Sequence, residues 1–284
     1  VDFKDRTFLV TNMIPPSANV QLPIHGVIGN DVFSQMVVQL DMAGEQLNLF
    51  APRAFSAGGR KVPLQVQDGR LMVPANLDGV DTWLELTTSY GDSVLFGAAS
   101  PAAQALAQKI PAGADGFTLG LQYGLPERIL RVGTLTVEST GVQGALVHLA
   151  QFPADSPLGR RQAGWLGTGF LRRFTVSVDF PGNALYLEPG PALGEPDLYN
   201  ATGLYVVKTG GRIVVQQVVK GSPAEKAGLQ VGDTLTSIND YPAEQVVFDR
   251  LYGFLYLAAD GHVQLKAQRE GTELEATLKN ESAF

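Results

Sequence analysis

The chain has 284 residues, 45% of them hydrophobic and 17% charged, which suits about two folded domains and excludes disorder. A formal net charge of −7 opposes nucleic-acid binding, which needs a basic surface to displace counterions. The absence of cysteine excludes disulfides, thiolate zinc sites and a thiol nucleophile, and no apolar run is long enough to predict a transmembrane helix.

In chain order, the first organised segment is residues 25–50, HGVIGNDVFSQMVVQLDMAGEQLNLF, and it returns at 163–188 as AGWLGTGFLRRFTVSVDFPGNALYLE. At the constant offset of 138, Gly26 falls on Gly164, Gly29 on Gly167, Val38 on Val176, Asp41 on Asp179, Gly44 on Gly182 and Leu47 on Leu185. Each copy reads as an apolar pair closed by glycine, a short helix, and two alternating strands joined by a tight turn. Two copies of one unit imply a two-lobed body. Asp41 and Asp179, ahead of the turns, read as structural.

Between the copies lie short alternating stretches such as LMVPANL and TWLELTT, interrupted by a helix at 100–109. There Ser100 is the cap, Pro101 suits the first helical position and alanines supply propensity. The basic pairs Arg160-Arg161 and Arg172-Arg173 read as a solvated face. His25, His148 and His262 have no ligand spacing, so neither a metal nor a cofactor is expected. After the second copy, Pro and Gly at 188–196 mark a linker, and 197–284 forms a separate module.

The repeated unit resembles the closing part of a lobe in aspartic proteases of the retropepsin and pepsin type. The resemblance rests on Val27-Ile28-Gly29 and Trp165-Leu166-Gly167, the apolar-apolar-glycine element that braces the active-site loop in that family. It implies a mainly β, bilobal body of aspartic-protease-like β-barrels, with 1–56 as the closing half of an incomplete first lobe and 57–190 as the second lobe. By the 138-residue offset, the first lobe's active-site loop would fall before residue 1. Where the family has Asp-Thr-Gly in the second lobe, this chain has Thr87-Thr88-Ser89. The reaction needs two carboxylates sharing a proton, and a threonine hydroxyl does not titrate in the working range. Asp92 is the nearest carboxylate in sequence and the one weak catalytic candidate.

The module at 197–284 resembles a PDZ domain of the circularly permuted bacterial type, a β-sandwich with two helices. The match is carried by Thr202-Gly203-Leu204-Tyr205-Val206, Gly221-Ser222-Pro223-Ala224 with Ala227-Gly228-Leu229, Val231-Gly232-Asp233, a second helix at 246–257 and strands around Arg269-Glu270-Gly271. It implies β-augmentation by a peptide or protein C-terminus or other extended segment. With Gly203 in the peptide-binding loop, backbone N–H groups of Leu204, Tyr205 and Val206 would receive a terminal carboxylate, and Leu204, Val206, Val247, Leu251 and Phe254 would line the side-chain pocket.

Together these features predict a catalytically impaired, peptide-binding member of a hydrolase family. The alternatives are an active aspartic endopeptidase using an upstream first-lobe aspartate, and a non-enzymatic envelope scaffold acting through the PDZ groove. The resemblance implies a bacterial protein of the periplasm or cell envelope, with no signal peptide visible in this chain. A second copy of the chain, as a homodimer, is a further admissible partner.

Overall fold

The computed structural model describes residues 25–118, 124–246, 248–256 and 261–279. Helix α1 (Asn30–Phe33) leads into the hairpin β1 (Val37–Asp41) and β2 (Gln46–Phe50). Strands β3 (Arg60–Pro63), β4 (Gln65–Gln67), β5 (Arg70–Leu77), β6 (Val80–Leu86) and β7 (Val94–Gly97) precede helix α2 (Pro101–Lys109). The hairpin β8 (Ala114–Phe117) and β9 (Pro126–Arg131) is followed by β10 (Thr134–Val137), β11 (Thr140–Gln143) and β12 (Leu146–Ala150). Then come β13 (Gly164–Leu166), α3 (Thr168–Leu171), β14 (Phe174–Asp179) and β15 (Ala184–Pro189). The C-terminal part holds β16 (Leu204–Thr209), β17 (Arg212–Val218), α4 (Pro223–Lys226), β18 (Thr234–Ile238) and β19 (Tyr241–Pro242). It closes with α5 (Phe248–Leu255), β20 (His262–Arg269) and β21 (Thr272–Lys279). Helix α2 starts as its sequence demands: Pro101 occupies its first turn and Ser100 accepts a hydrogen bond from the Ala103 N–H.

The chain divides into two compact units. Among described residues, the first takes 25–111 and 130–197, and the second takes 112–118, 124–129 and the part from Leu198 onward. This division departs from the sequence reading in two ways. Residues 25–56 and 57–190 do not separate, because β1 pairs with β14 in one sheet of order β2-β1-β14-β15-β3. Residues 112–118 and 124–129, expected within the second lobe, go with the C-terminal unit, where Phe117 packs edge-on against Tyr205 at 5.6 Å between ring centroids. Periodicity reports which residues are apolar and not which partner they find.

In the first unit the two copies match from the short helix onward, while strand β13 of the second copy has no strand counterpart at 26–28. Helix α1 at 30–33 falls on α3 at 168–171, and the N-caps Gly29 (φ −93°, ψ 176°) and Gly167 (φ −99°, ψ −174°) share one extended conformation. Asp41 Oδ1 accepts from the Gly44 N–H at 2.9 Å, and Asp179 Oδ1 from the Gly182 N–H at 2.9 Å, so both aspartates close their hairpin turns. The antiparallel register Val37↔Asp179 through Asp41↔Thr175 places Gln39 opposite Ser177, its own counterpart under the repeat. A local two-fold axis therefore passes between these residues, and Gln39 Nε2 donates to Ser177 Oγ at 3.2 Å across it.

The second sheet of this unit runs β11-β10-β5-β6-β13-β7-β12, with β4 also on β5. Among the described residues it does not close on itself, so an open sheet stands where a barrel was expected. Leu84, Phe96, Leu166, Phe170, Phe174 and Val176 belong to one buried core that joins both sheets. Arg173 is also fully buried, not part of a solvated face: Asp197, 24 residues further on, neutralises it at 2.8 Å. The second unit forms the sheet β16-β17-β18-β20-β21, with β19 on β18 and a core that includes Leu204, Val206, Ile213, Leu235, Leu251 and Leu265.

Candidate functional site

Two places combine a braced loop or a strand at the end of a sheet with polar chemistry. The first is the loop 87–93, between β6 and β7. Strand β13 lies between those strands, parallel to β6 at Gly164↔Leu84 and antiparallel to β7 at Leu166↔Val94. It pins the loop through its backbone: the Thr87 N–H donates to Leu166 O at 3.0 Å, Gly167 N–H to Ser93 O at 2.9 Å and Thr168 N–H to Tyr90 O at 2.8 Å. The Thr168 hydroxyl is within reach of both Tyr90 O and Gly91 O, at 3.0 and 3.1 Å. Such an approach requires glycine, because a Cβ on Gly167 would sit 2.3 Å from Asp92 O and 2.6 Å from Tyr90 O.

At the head of this loop Thr87 is half-buried while Thr88 and Ser89 are exposed. The Thr87 hydroxyl accepts from the Ser89 N–H at 3.1 Å, so it closes the turn that begins the loop. Asp92 lies at the loop's far end, with its backbone carbonyl taken by the Gly169 N–H and its Oδ2 3.9 Å from Nε2 of the buried His148. Tyr90 stands edge-on to the His148 ring at 6.1 Å. The loop thus brings together Thr87, Tyr90, Asp92 and His148, a grouping that sequence spacing did not reveal for the histidine. Among the described residues no cluster of His, Cys, Asp and Glu is arranged to hold a metal ion.

The first copy's bracing element has a different fate. Val27 and Ile28, equivalent to Trp165 and Leu166, are 80% and 66% exposed, whereas Leu166 is fully buried.

The second place is the β16 edge. Gly203 turns the chain into β16 with φ +68°, and a Cβ there would lie 2.3 Å from Ser222 Cβ, so both conformation and space call for glycine. Ser222 itself caps α4, accepting from the Glu225 N–H. Strand β16 ends the sheet order and pairs with β17. Opposite Leu204 stands Val218, and the flanking Val219 N–H donates to Gly203 O at 2.9 Å. Leu204↔Val218 is therefore a non-hydrogen-bonded pair, so Leu204 turns its own N–H and C=O away from β17. Val206 does the same, because its partner Val215 spends both backbone groups on the other side, with Asp233 O and the Gly232 N–H.

The side chains of Leu204, Val206 and Leu251 are buried in the core, and Phe254 packs half-buried against it. Tyr205 faces the opposite side of the sheet, where Phe117 covers it. Val247, expected in the pocket, lies outside the described residues. Sequence reasoning missed Asn200 and gave Thr202, named within the loop segment, no role of its own. Asn200 Nδ2 donates to Leu204 O at 2.7 Å, Thr202 Oγ1 donates to Asn200 Oδ1 at 2.7 Å, and the Leu204 N–H donates to Thr202 Oγ1 at 3.3 Å. Their signal was the Asn-x-Thr-Gly order at 200–203, two residue types that bond nearby backbone ahead of a turn glycine.

Behind this edge, Arg269 grips Asp233 through Nε to Oδ1 at 2.7 Å and Nη2 to Oδ2 at 2.8 Å. The Gln230 N–H adds a third bond to that carboxylate. The Arg269 hydrogen bonds, helped by Gln230, hold the Asp233 carboxyl below its ordinary value even though burial works the other way.

Residues 214–269 match the family model of the PDZ domain, so this part of the chain is a PDZ domain. A comparison with curated proteins found no match. Among solved structures, a retropepsin-like aspartic protease from Rickettsia conorii aligns at 15% identity, covering 46% of this chain and 91% of that one, with a TM-score of 0.32. A PDZ domain of EpsC from Vibrio cholerae aligns at 19% identity over 28% of this chain and 78% of its own length, TM-score 0.22. A photosystem II D1 C-terminal processing protease aligns at 23% identity over 28% of this chain, TM-score 0.27, and the match spans 22% of that protease. In the described residues no helix is long and apolar enough to cross a membrane.

Proposed function

We propose that the chain recognises peptides or proteins by strand addition at β16 and carries a protease-like body that does not cut. The observation that carries this reading is the use made of Thr87. It stands at the head of the braced loop, where the resemblance calls for an aspartate, and its hydroxyl is spent on the Ser89 N–H. Peptide hydrolysis by this class needs paired carboxylates, one to activate water and one to protonate the leaving group. Asp92, at the other end of the loop, has His148 as its charged-type neighbour, which suits a positioned carboxylate more than a proton-sharing pair.

Recognition fits the second unit. A strand that ends the sheet order, preceded by a glycine turn and standing just before the residues that match a PDZ domain, is the kind of frame that β-augmentation uses. A periplasmic or envelope setting and a homodimeric state belong to the same proposal. The test is to incubate the purified chain with unfolded casein from pH 3 to 7, with and without pepstatin, and to measure its binding to immobilised peptides in parallel. Peptide binding without pepstatin-sensitive cleavage supports the reading; cleavage lost on Asp92→Asn replacement overturns the non-cutting part of it.

A further inference from the structure

Outside the braced loop and the β16 strand, the outer face of β5, β6 and β10 carries an open trough of about 380 Å³. The register builds it. Thr136 pairs with Asn76 and Asn76 with Asp81 in one row across the three strands, and Pro74 pairs with Trp83 in the next row. Residues two apart on a strand share a face, so Pro74 and Asn76 form the floor, with Asp81 and Trp83 along one side. Glu138, at the turn from β10 into β11, also lines the trough. Trp83 is 39% exposed, and Asp81 and Glu138 are both exposed.

The donors on the floor are already spent. Pro74 has no N–H, Asn76 Nδ2 donates to Asp81 Oδ1 at 2.7 Å, and the Thr136 hydroxyl donates to Asn76 O at 3.4 Å. Arg60, which approaches the same turn as Glu138, donates to Ser139 Oγ at 3.0 Å. Among the described residues no cation pairs with Asp81 or Glu138, and none stands over the Trp83 ring. Two carboxylates and an indole face are left toward solvent, a set that favours a cation able to stack.

The same face of β6 shows which cation such a set takes. Glu85, two residues past Trp83, lies opposite Trp165 of β13. There Arg161 places its guanidinium 5.4 Å from the centre of the Trp165 ring and donates to Glu85 Oε2. Trp83, the chain's other tryptophan, has Asp81 in the corresponding role and lacks the arginine. We infer that the trough seats an arginine side chain of a partner polypeptide, its guanidinium stacked on Trp83 and hydrogen-bonded to Asp81, with Glu138 facing it across Pro74. Arginine suits the place better than lysine, because its planar fork can bind a carboxylate while lying flat on a ring. The volume exceeds one guanidinium group, which leaves room for the aliphatic stem and flanking backbone. A net charge of −7 also favours the approach of a basic partner.

The test uses the full chain and a 12-residue peptide of four Gly-Arg-Ser repeats, acetylated and amidated, beside versions with lysine or neutral citrulline in place of arginine. In an NMR titration the arginine peptide should shift the indole N–H signal of Trp83 and leave that of Trp165 in place. By fluorescence anisotropy, citrulline should weaken binding about tenfold or more and lysine about threefold. Asp81→Asn and Trp83→Leu should each weaken the arginine peptide about threefold to tenfold. Equal binding of the citrulline or lysine peptide overturns the arginine assignment, and equally tight binding of free arginine amide overturns the polypeptide source. No binding, or shifts that spare Trp83, overturn the site itself without touching peptide recognition by the second unit. The wild-type titration decides alone if Trp83→Leu does not fold.

Discussion

Arg173 Nη2 donates to Asp197 Oδ1 at 2.8 Å, with side-chain exposures of 0% and 8%. The same guanidinium binds Ser93 Oγ on the braced loop, Gly169 O on α3 and Glu195 O, while Asp197 Oδ2 accepts from the Leu146 N–H. One ion pair thus ties the loop, the helix after β13, strand β12 and the segment that leaves β15.

Removing either charge strands the other in the interior. Arg173→Met and Asp197→Asn should each destabilise the first unit by about 3–5 kcal/mol, the usual cost of breaking a buried pair. Combining them should cost less than the sum, because no lone charge remains. Urea unfolding followed by tryptophan fluorescence reads this unit, since both tryptophans, Trp83 and Trp165, lie within it. Additive losses would show that the two groups act independently.

The two repeat copies supply an internal control for the bracing glycine. Gly29 and Gly167 are both N-caps of similar conformation, so replacing either with alanine removes the same helix-end preference. A new Cβ at 167 meets two loop carbonyls, whereas at 29 its nearest neighbour is the Asp31 side chain. Gly167→Ala should therefore cost about 1–3 kcal/mol more than Gly29→Ala, the usual penalty of overpacking. Equal melting temperatures for the two variants would contradict the close approach.

Acid should weaken the second unit through Asp233. Its carboxyl is held below its ordinary value of 3.8 in the folded chain, so the ion pair's contribution is fully present above about that pH. It fades as pH falls through the depressed folded-state value. Arg269→Met abolishes the depression, so that variant should start less stable at neutral pH and lose less on acidification. Hydrogen exchange of β18 and β20, corrected for intrinsic rates, should show the wild-type and variant curves converging toward pH 2.

Thr87→Asp examines whether a carboxylate at this one position is enough to give cutting. A single new aspartate lacks its proton-sharing partner, so casein should remain intact in the pH 3–7 range. Pepstatin-sensitive cleavage by this variant would mean that a second carboxylate already faces position 87.

Much of the first unit was legible from the repeat, because matching glycines and turn aspartates each answer a local steric or hydrogen-bonding demand. Gly167 and Asp179 are recognisable without knowing their neighbours. Arg173 was not, since its basic side chain looks solvent-seeking until the distant Asp197 is brought beside it. The paired strands β8 and β9 were misplaced for a related reason: Phe117 is an ordinary strand residue until Tyr205 supplies a ring to pack on. At the candidate sites, Thr87 and Gly203 could be found by motif, whereas His148 enters through tertiary approach and Asn200 through local bonds to Thr202 and Leu204.

The register of β1 on β14 carries an implication for how these copies could change. When two identical chains meet on a two-fold axis, the residue at the crossing must accept itself, which restricts it to self-complementary groups. Within one polypeptide that constraint is lifted. Gln39 meets Ser177, a long donor against a short acceptor, a combination that no symmetric pair of identical chains could present at that point. Covalent joining therefore gives each half licence to diverge alone, and a substitution at 39 should leave the surroundings of residue 177's own strand partner in β15, Tyr186, unchanged.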